Sequence, residues 1–190
     1  MLLQKNAGAV IANIDEVIVS VDGSEVIHDK IRNIPDAFIK LASGVESLKK
    51  IKPGYRVTAR CVIQRYNFFD FENIVLAAKT IGLDQISFLA ADISSAAFNR
   101  PEYWTDERAS EVALTKEETA ELERIIERSF DALKVHYDSR FIAERPEKMK
   151  RIVQYYKAIN GVSKFPETIC NAPWISAVIE SDGRVLPCFF

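Results

Sequence analysis

The stretch Tyr55-Arg-Val-Thr-Ala-Arg-Cys-Val-Ile-Gln-Arg65 decides the fold class. In an extended chain Val57, Ala59, Cys61 and Ile63 share one face, while Arg56, Thr58, Arg60 and Gln64 share the other. That alternation predicts a strand with one apolar and one polar side. Upstream, Ile14 to Asp22 repeats the pattern, with Val17, Val19 and Val21 on one side and Ile18, Ser20 and Asp22 opposite. Gly23 ends this first strand, and Pro35 suits the first turn of a helix striped by Phe38, Leu41, Val45 and Leu48. Pro53 and Gly54 break that helix. Downstream, Asp70 is placed to cap a helix carrying Ile74, Ala77, Ala78 and Ile81, which Gly82 closes, and Gln85 to Ala91 reads as a third strand.

Strands alternating with helices of about a dozen residues imply right-handed crossovers and a parallel sheet, hence the α/β class. The polar second face, with Ser20, Asp22, Thr58, Arg60 and Gln64, suits the lumen of an open barrel better than a sheet between two helix layers. A partial (β/α) barrel is therefore expected. Asn99 to Val112 reads as a functional loop or a pair of short turns. Thr115 and Glu118 then have capping-box spacing ahead of Leu122, Ile125, Ile126, Phe130 and Leu133. A further helix is expected over Pro146 to Ile159, burying Met149, Ile152, Val153 and Tyr156. Ser181, Asp182 and Gly183 mark the turn of a hairpin between Trp174–Ile179 and Arg184–Leu186. Two regions follow: residues 1–140 as the barrel part, and 141–190 as a linker helix and hairpin.

Bulk properties narrow the function. With 190 residues and 48% hydrophobic content the chain is long enough to bury a core. Its 25 basic and 27 acidic side chains leave a formal charge of -2, which offers nothing to nucleic acid or an anionic bilayer. No apolar run reaches the roughly 20 residues of a membrane span, and Met1 to Gly8 has no signal-peptide layout, so a cytoplasmic protein is expected. Three cysteines make no disulfide framework. Cys61 sits on the apolar side of its strand and reads as a buried structural thiol. Cys170 and Cys188 flank the hairpin, with twelve residues before Gly183 and four after it, a layout suited to iron or zinc ligation. Two unpaired buried thiols are the plainer alternative.

The sequence Cys170-Asn-Ala-Pro-Trp-Ile-Ser-Ala-Val-Ile-Glu-Ser-Asp-Gly-Arg-Val-Leu-Pro-Cys188 resembles the opening of a SPASM domain, the C-terminal extension of many radical S-adenosylmethionine (SAM) enzymes. Val19-Ser-Val-Asp-Gly-Ser-Glu-Val-Ile-His-Asp-Lys-Ile-Arg32 is similar to that family's fourth strand and the loop after it. Arg60, Val62, Ile63 and Asn67 resemble the fifth strand and its outgoing loop, and Ile86 to Asp92 the sixth. The resemblance covers nearly the whole chain. It implies the second half of a six-unit barrel, with Met1 to Ala12 as the tail of the third helix. It also implies that Ser20 and Arg32 contact the amino-acid part or ribose of SAM, a hydroxyl and a guanidinium both being suited to a carboxylate. Ala90 and Ala91 would lie against the adenine, and Cys170 and Cys188 would be the first two ligands of an auxiliary [4Fe-4S] cluster. Without the family, Ser20 is a strand-end residue and Arg32 a solvated loop cation. His28 and Asp29 match the loop pattern and are expected to hold the loop rather than to catalyse.

The departures matter equally. Radical SAM enzymes hold the reducing cluster in a Cys-x3-Cys-x2-Cys loop, a spacing this chain lacks, and further SPASM cysteines beyond Cys188 are also missing. The chain alone is therefore expected to be inactive, with neither SAM nor a stable cluster bound. Phe189 stands where sulfatase-maturing relatives have an acidic residue, which disfavours that substrate; another peptide remains the expected substrate class of a full-length parent. A non-catalytic binding or assembly module on the same fold is the alternative. A metal-free acid-base enzyme using Asp22, Arg60 and Asp92 lacks a paired constellation. Finally, the first strand is expected to have an open edge that leaves Ile18 uncovered and drives homo-oligomer formation.

Overall fold

The structure, a computed structural model, describes residues 2–95, 102–167 and 171–188. Two short helices, α1 (Leu2–Lys5) and α2 (Ala7–Asn13), precede β1 (Glu16–Ser20). Helices α3 (Glu25–Arg32) and α4 (Ala37–Ile51) lead to β2 (Arg56–Ile63), and α5 (Phe71–Thr80) leads to β3 (Gln85–Ala90). The three strands form one parallel sheet in the order β1-β2-β3. Next come α6 (Asp106–Val112), α7 (Lys116–Ala132), α8 (Lys134–Asp138) and α9 (Pro146–Ile159). A helical turn, α10 (Ala172–Ile175), and the antiparallel pair β4 (Val178–Ile179) and β5 (Val185–Leu186) follow. The fold is mixed α/β, and the three-stranded sheet does not close on itself.

The alternation in Tyr55–Arg65 holds on its apolar side and is broken on the polar side at Thr58, which is buried and donates to Glu16 Oε1. Val57, Ala59, Cys61 and Ile63 are all buried, packed with Leu41, Val45, Leu48, Ile74 and Val75 from α4 and α5. Burying each large side chain of this set contributes roughly 1.5–3 kcal/mol. On the opposite face Ile18, Arg60 and Leu89 are exposed. The helices thus cover one side of the sheet, while the other is open at Ile18, Arg60 and Leu89 and buried at Thr58. The capping box of Thr115 and Glu118 forms in full, and the buried side of α9 is Met149, Ile152, Val153 and Tyr156, as its periodicity predicts.

Five local expectations are corrected. The segment after β1 is helix α3, not loop; its buried residue is His28, with Ile27 and Ile31 half-buried one turn apart, so the helical spacing is present in the sequence. Pro35 precedes α4 rather than opening it, because Asp36 takes the N-cap position in a left-handed conformation (φ 57°) and Asp29 Oδ1 accepts from the Phe38 N–H at 2.8 Å. Asp70 makes no side-chain cap for α5; its carboxylate accepts from the Ser24 N–H at 2.6 Å and from Asn73 Nδ2 at 2.8 Å. Within Asn99 to Val112, residues 106–112 form α6, while 99–101 lie outside the described residues. Met1 to Ala12, expected as one helix tail, contains α1 and most of α2. Among the described residues no helix is long and apolar enough to cross a membrane.

Candidate functional site

In a parallel sheet all strand carboxyl ends lie on one side, and the loops leaving them gather there. The register sets Ser20 beside Arg60 and Arg60 beside Ser87, a polar row across the open face near those ends. Beyond it β1 runs into Asp22, which is buried although ionisable. Its carboxylate accepts from Arg32 Nε at 2.5 Å, and its own N–H leaves the sheet to donate to His28 Nδ1 at 3.1 Å. Asn67 Nδ2 donates to the carbonyls of Asp22 (2.8 Å) and Val62 (3.0 Å), while its Oδ1 accepts from the Gln64 N–H at 2.8 Å. Asn67 thereby ties the exits of β1 and β2 together. The Ser24 N–H donated to Asp70 adds the start of α5 to the same knot.

Electrostatics in this knot are set by burial. Desolvation lowers the His28 pKa below its ordinary value, only partly offset by Asp22, so near neutral pH the ring is neutral. With Nδ1 accepting from the backbone, the proton sits on Nε2. Asp22 remains viable in its buried position because a guanidinium and a backbone network meet it. Burial also pushes the Cys61 thiol well above its usual range, with Asp22 and Asp70 adding to the effect, which agrees with a structural rather than reactive cysteine.

Along the outer side of β1 runs an open groove of about 540 Å³. Ser20, His28 and Arg32 line it together with apolar side chains of β1, α1 and α4. Ser20 is exposed, its hydroxyl hydrogen-bonded to none of the described residues. Arg32 has spent Nε on Asp22 and keeps its terminal nitrogens for another acceptor. Ala91 lies at the far strand; it is buried, and its N–H donates to Tyr156 Oη (2.9 Å) and the Ile63 carbonyl (3.3 Å). Ser20 and Arg32 are thus brought together, with Ala91 two strands away. Cys188 is half-buried, whereas Cys170 lies outside the described residues.

The residues that organise the strand exits, Asn67, Asp70 and His28, carry little sequence signal beyond being polar residues next to apolar runs. Their partners lie at separations such as 45 and 46 residues. Compared with known proteins, the chain matches no family model and no curated protein.

Proposed function

We propose that this chain is the second half of a partial (β/α)6 barrel of the radical SAM class with the start of a SPASM hairpin, its strand exits forming part of a SAM site. One observation carries the reading: Ser20 and Arg32 line the same groove with donor groups to spare. Ser20 Oγ and the terminal nitrogens of Arg32 would hold the carboxylate of the methionine moiety. Asp22 orients that guanidinium through Nε, and His28 and Asn67 hold Asp22 in place. Residues at the end of β3, including Ala91, would present backbone to the adenine through groups other than the Ala91 N–H. Cys188, with Cys170, would begin an auxiliary [4Fe-4S] site. In the complete enzyme bound SAM supplies the 5'-deoxyadenosyl group and a reducing cluster supplies the electron. The Cys-x3-Cys-x2-Cys spacing for that cluster is not in this sequence, so the chain by itself does not cleave SAM, while the open donors of Ser20 and Arg32 on one groove favour binding, in place of the empty site expected from the sequence. A cytoplasmic, reducing setting and a peptide substrate for the parent enzyme complete the proposal.

Titration calorimetry with SAM tests it. Binding that weakens at least tenfold in Ser20→Ala and in Arg32→Lys, with the α-carboxyl methyl ester binding no better than those variants, is the expected result. SAM affinity that is absent, or untouched by both changes, rejects it. The apolar character of the groove favours one second reading, a binding module without chemistry, and in that case apolar peptides displace a groove-bound fluorophore while SAM does not.

A further inference from the structure

The two margins of the sheet differ, and the difference has a specific partner written into it. In a strand both backbone groups of one residue point the same way. The Val21 N–H donates to the Arg60 carbonyl, so Val17, Val19 and Val21 turn their backbone groups toward β2. Glu16, Ile18 and Ser20 consequently turn theirs outward, where none of the described strands pairs with them. Exposed apolar side chains gather along this margin: Leu2, Ile14, Ile18 and Ile34.

We propose that β1 pairs antiparallel with β1 of a second copy of this chain, about a two-fold axis through Ile18, giving a continuous six-stranded sheet. The sequence Glu16-Val-Ile-Val-Ser20 is self-complementary in that register. Ile18 meets Ile18 and Glu16 meets Ser20 as hydrogen-bonded pairs, each exchanging both N–H···O bonds. Between them fall the closer non-hydrogen-bonded pairs, Val17 with Val19 and Val19 with Val17, on the helix-covered side where these valines already line the groove. Contact is isologous and closes with two copies. Charge agrees with the antiparallel sense. Asp15 stands just ahead of β1, whereas Lys40 lines the groove at its opposite end; Glu16 is paired with Arg56 and Arg32 with Asp22 within the chain, which leaves Asp15 and Lys40 to carry the contrast. The two-fold sets the acidic end of each strand against the basic end of its partner, and a parallel arrangement would set like against like. The partner strand would lie on the β1 margin of the groove that the SAM reading gives to its ligand, so the two compete for one surface: a dimer that SAM does not dissociate supports this inference whatever the outcome of the SAM reading.

Sedimentation of the full chain, together with oxidative cross-linking of Ile18→Cys, tests the proposal. In a hydrogen-bonded pair the facing Cα atoms are about 5.5 Å apart, within disulfide reach. The wild type is expected to sediment as a dimer, and Ile18→Cys to give a covalent dimer upon mild oxidation in a Cys61→Ala, Cys170→Ser, Cys188→Ser background. Ile18→Lys sets two ammonium groups against each other and should yield a monomer with an unchanged circular-dichroism spectrum. Lys40→Glu should weaken the dimer at least tenfold and Asp15→Lys in the same chain should restore it. A monomeric wild type, a dimer that persists in Ile18→Lys, or no cross-link through position 18 overturns the proposal.

Discussion

The outer margin of β3 hands its backbone groups to the chain that follows it, whereas the outer margin of β1 hands its groups to none of the described residues. At β3, the Ile86 N–H donates to the Phe141 carbonyl (2.8 Å) and the Ile86 carbonyl accepts from the Ala143 N–H (2.9 Å). The Phe88 N–H reaches Glu144 Oε2 (2.9 Å). Behind this edge, at the seam between β2 and β3, the Ala91 N–H reaches Tyr156 Oη, whose proton goes to the Ile63 carbonyl at 2.5 Å. Single bridging residues and side-chain acceptors close this edge without a fourth strand. Nothing comparable flanks Ile18, which is 57% exposed. One side of the sheet is finished within the fold, and the other is shaped for something added.

The comparison can be broken at its strongest point first. Tyr156 is fully buried, and burial holds its phenol in the protonated form that donates to Ile63. Tyr156→Ala should cost about 3–5 kcal/mol by cavity formation and loss of the bridge between the ends of β2 and β3, measured by urea denaturation. Tyr156→Phe removes only the hydroxyl and should cost about 1–3 kcal/mol. A similar loss, about 1–3 kcal/mol, is expected for Asn67→Ala, which strips partners from the exits of β1 and β2. If Tyr156→Phe proved neutral, the seam between β2 and β3 would depend on packing and not on this hydroxyl.

A pH series sharpens the comparison at the β1 exit. His28 has a folded pKa below its unfolded value of 6.5, so its contribution to stability is complete above pH 6.5 and is lost as pH falls through the folded pKa. Protonation would place a cation in the buried knot and remove the Nδ1 acceptor from the Asp22 N–H. Thermal midpoints should therefore decline from pH 7 toward pH 5, and His28→Gln should show a flatter profile over that window. At the open edge itself the effect should be smallest. Ile18→Thr should change the stability of the monomer by no more than about 0.5 kcal/mol, since an exposed side chain leaves no cavity. A larger loss would mean that Ile18 is already covered in solution.

The sequence by itself determined the strand-helix alternation, the parallel sense of the sheet, the buried row from Val57 to Ile63, the buried side of α9 and the cap at Thr115. These are local: a period of two or 3.6 residues reports which side of an element faces away from water. Helix α3 was legible as well, Ile27 and Ile31 standing one turn apart beside His28, but the family pattern placed a loop there. The partners of Asp22, Asn67 and Asp70 and the way the outer margin of β3 is closed were decided only by the tertiary structure. Polar atoms are satisfied by whatever the fold brings within about 3 Å, and for these residues the acceptor or donor often stands on another element tens of positions away.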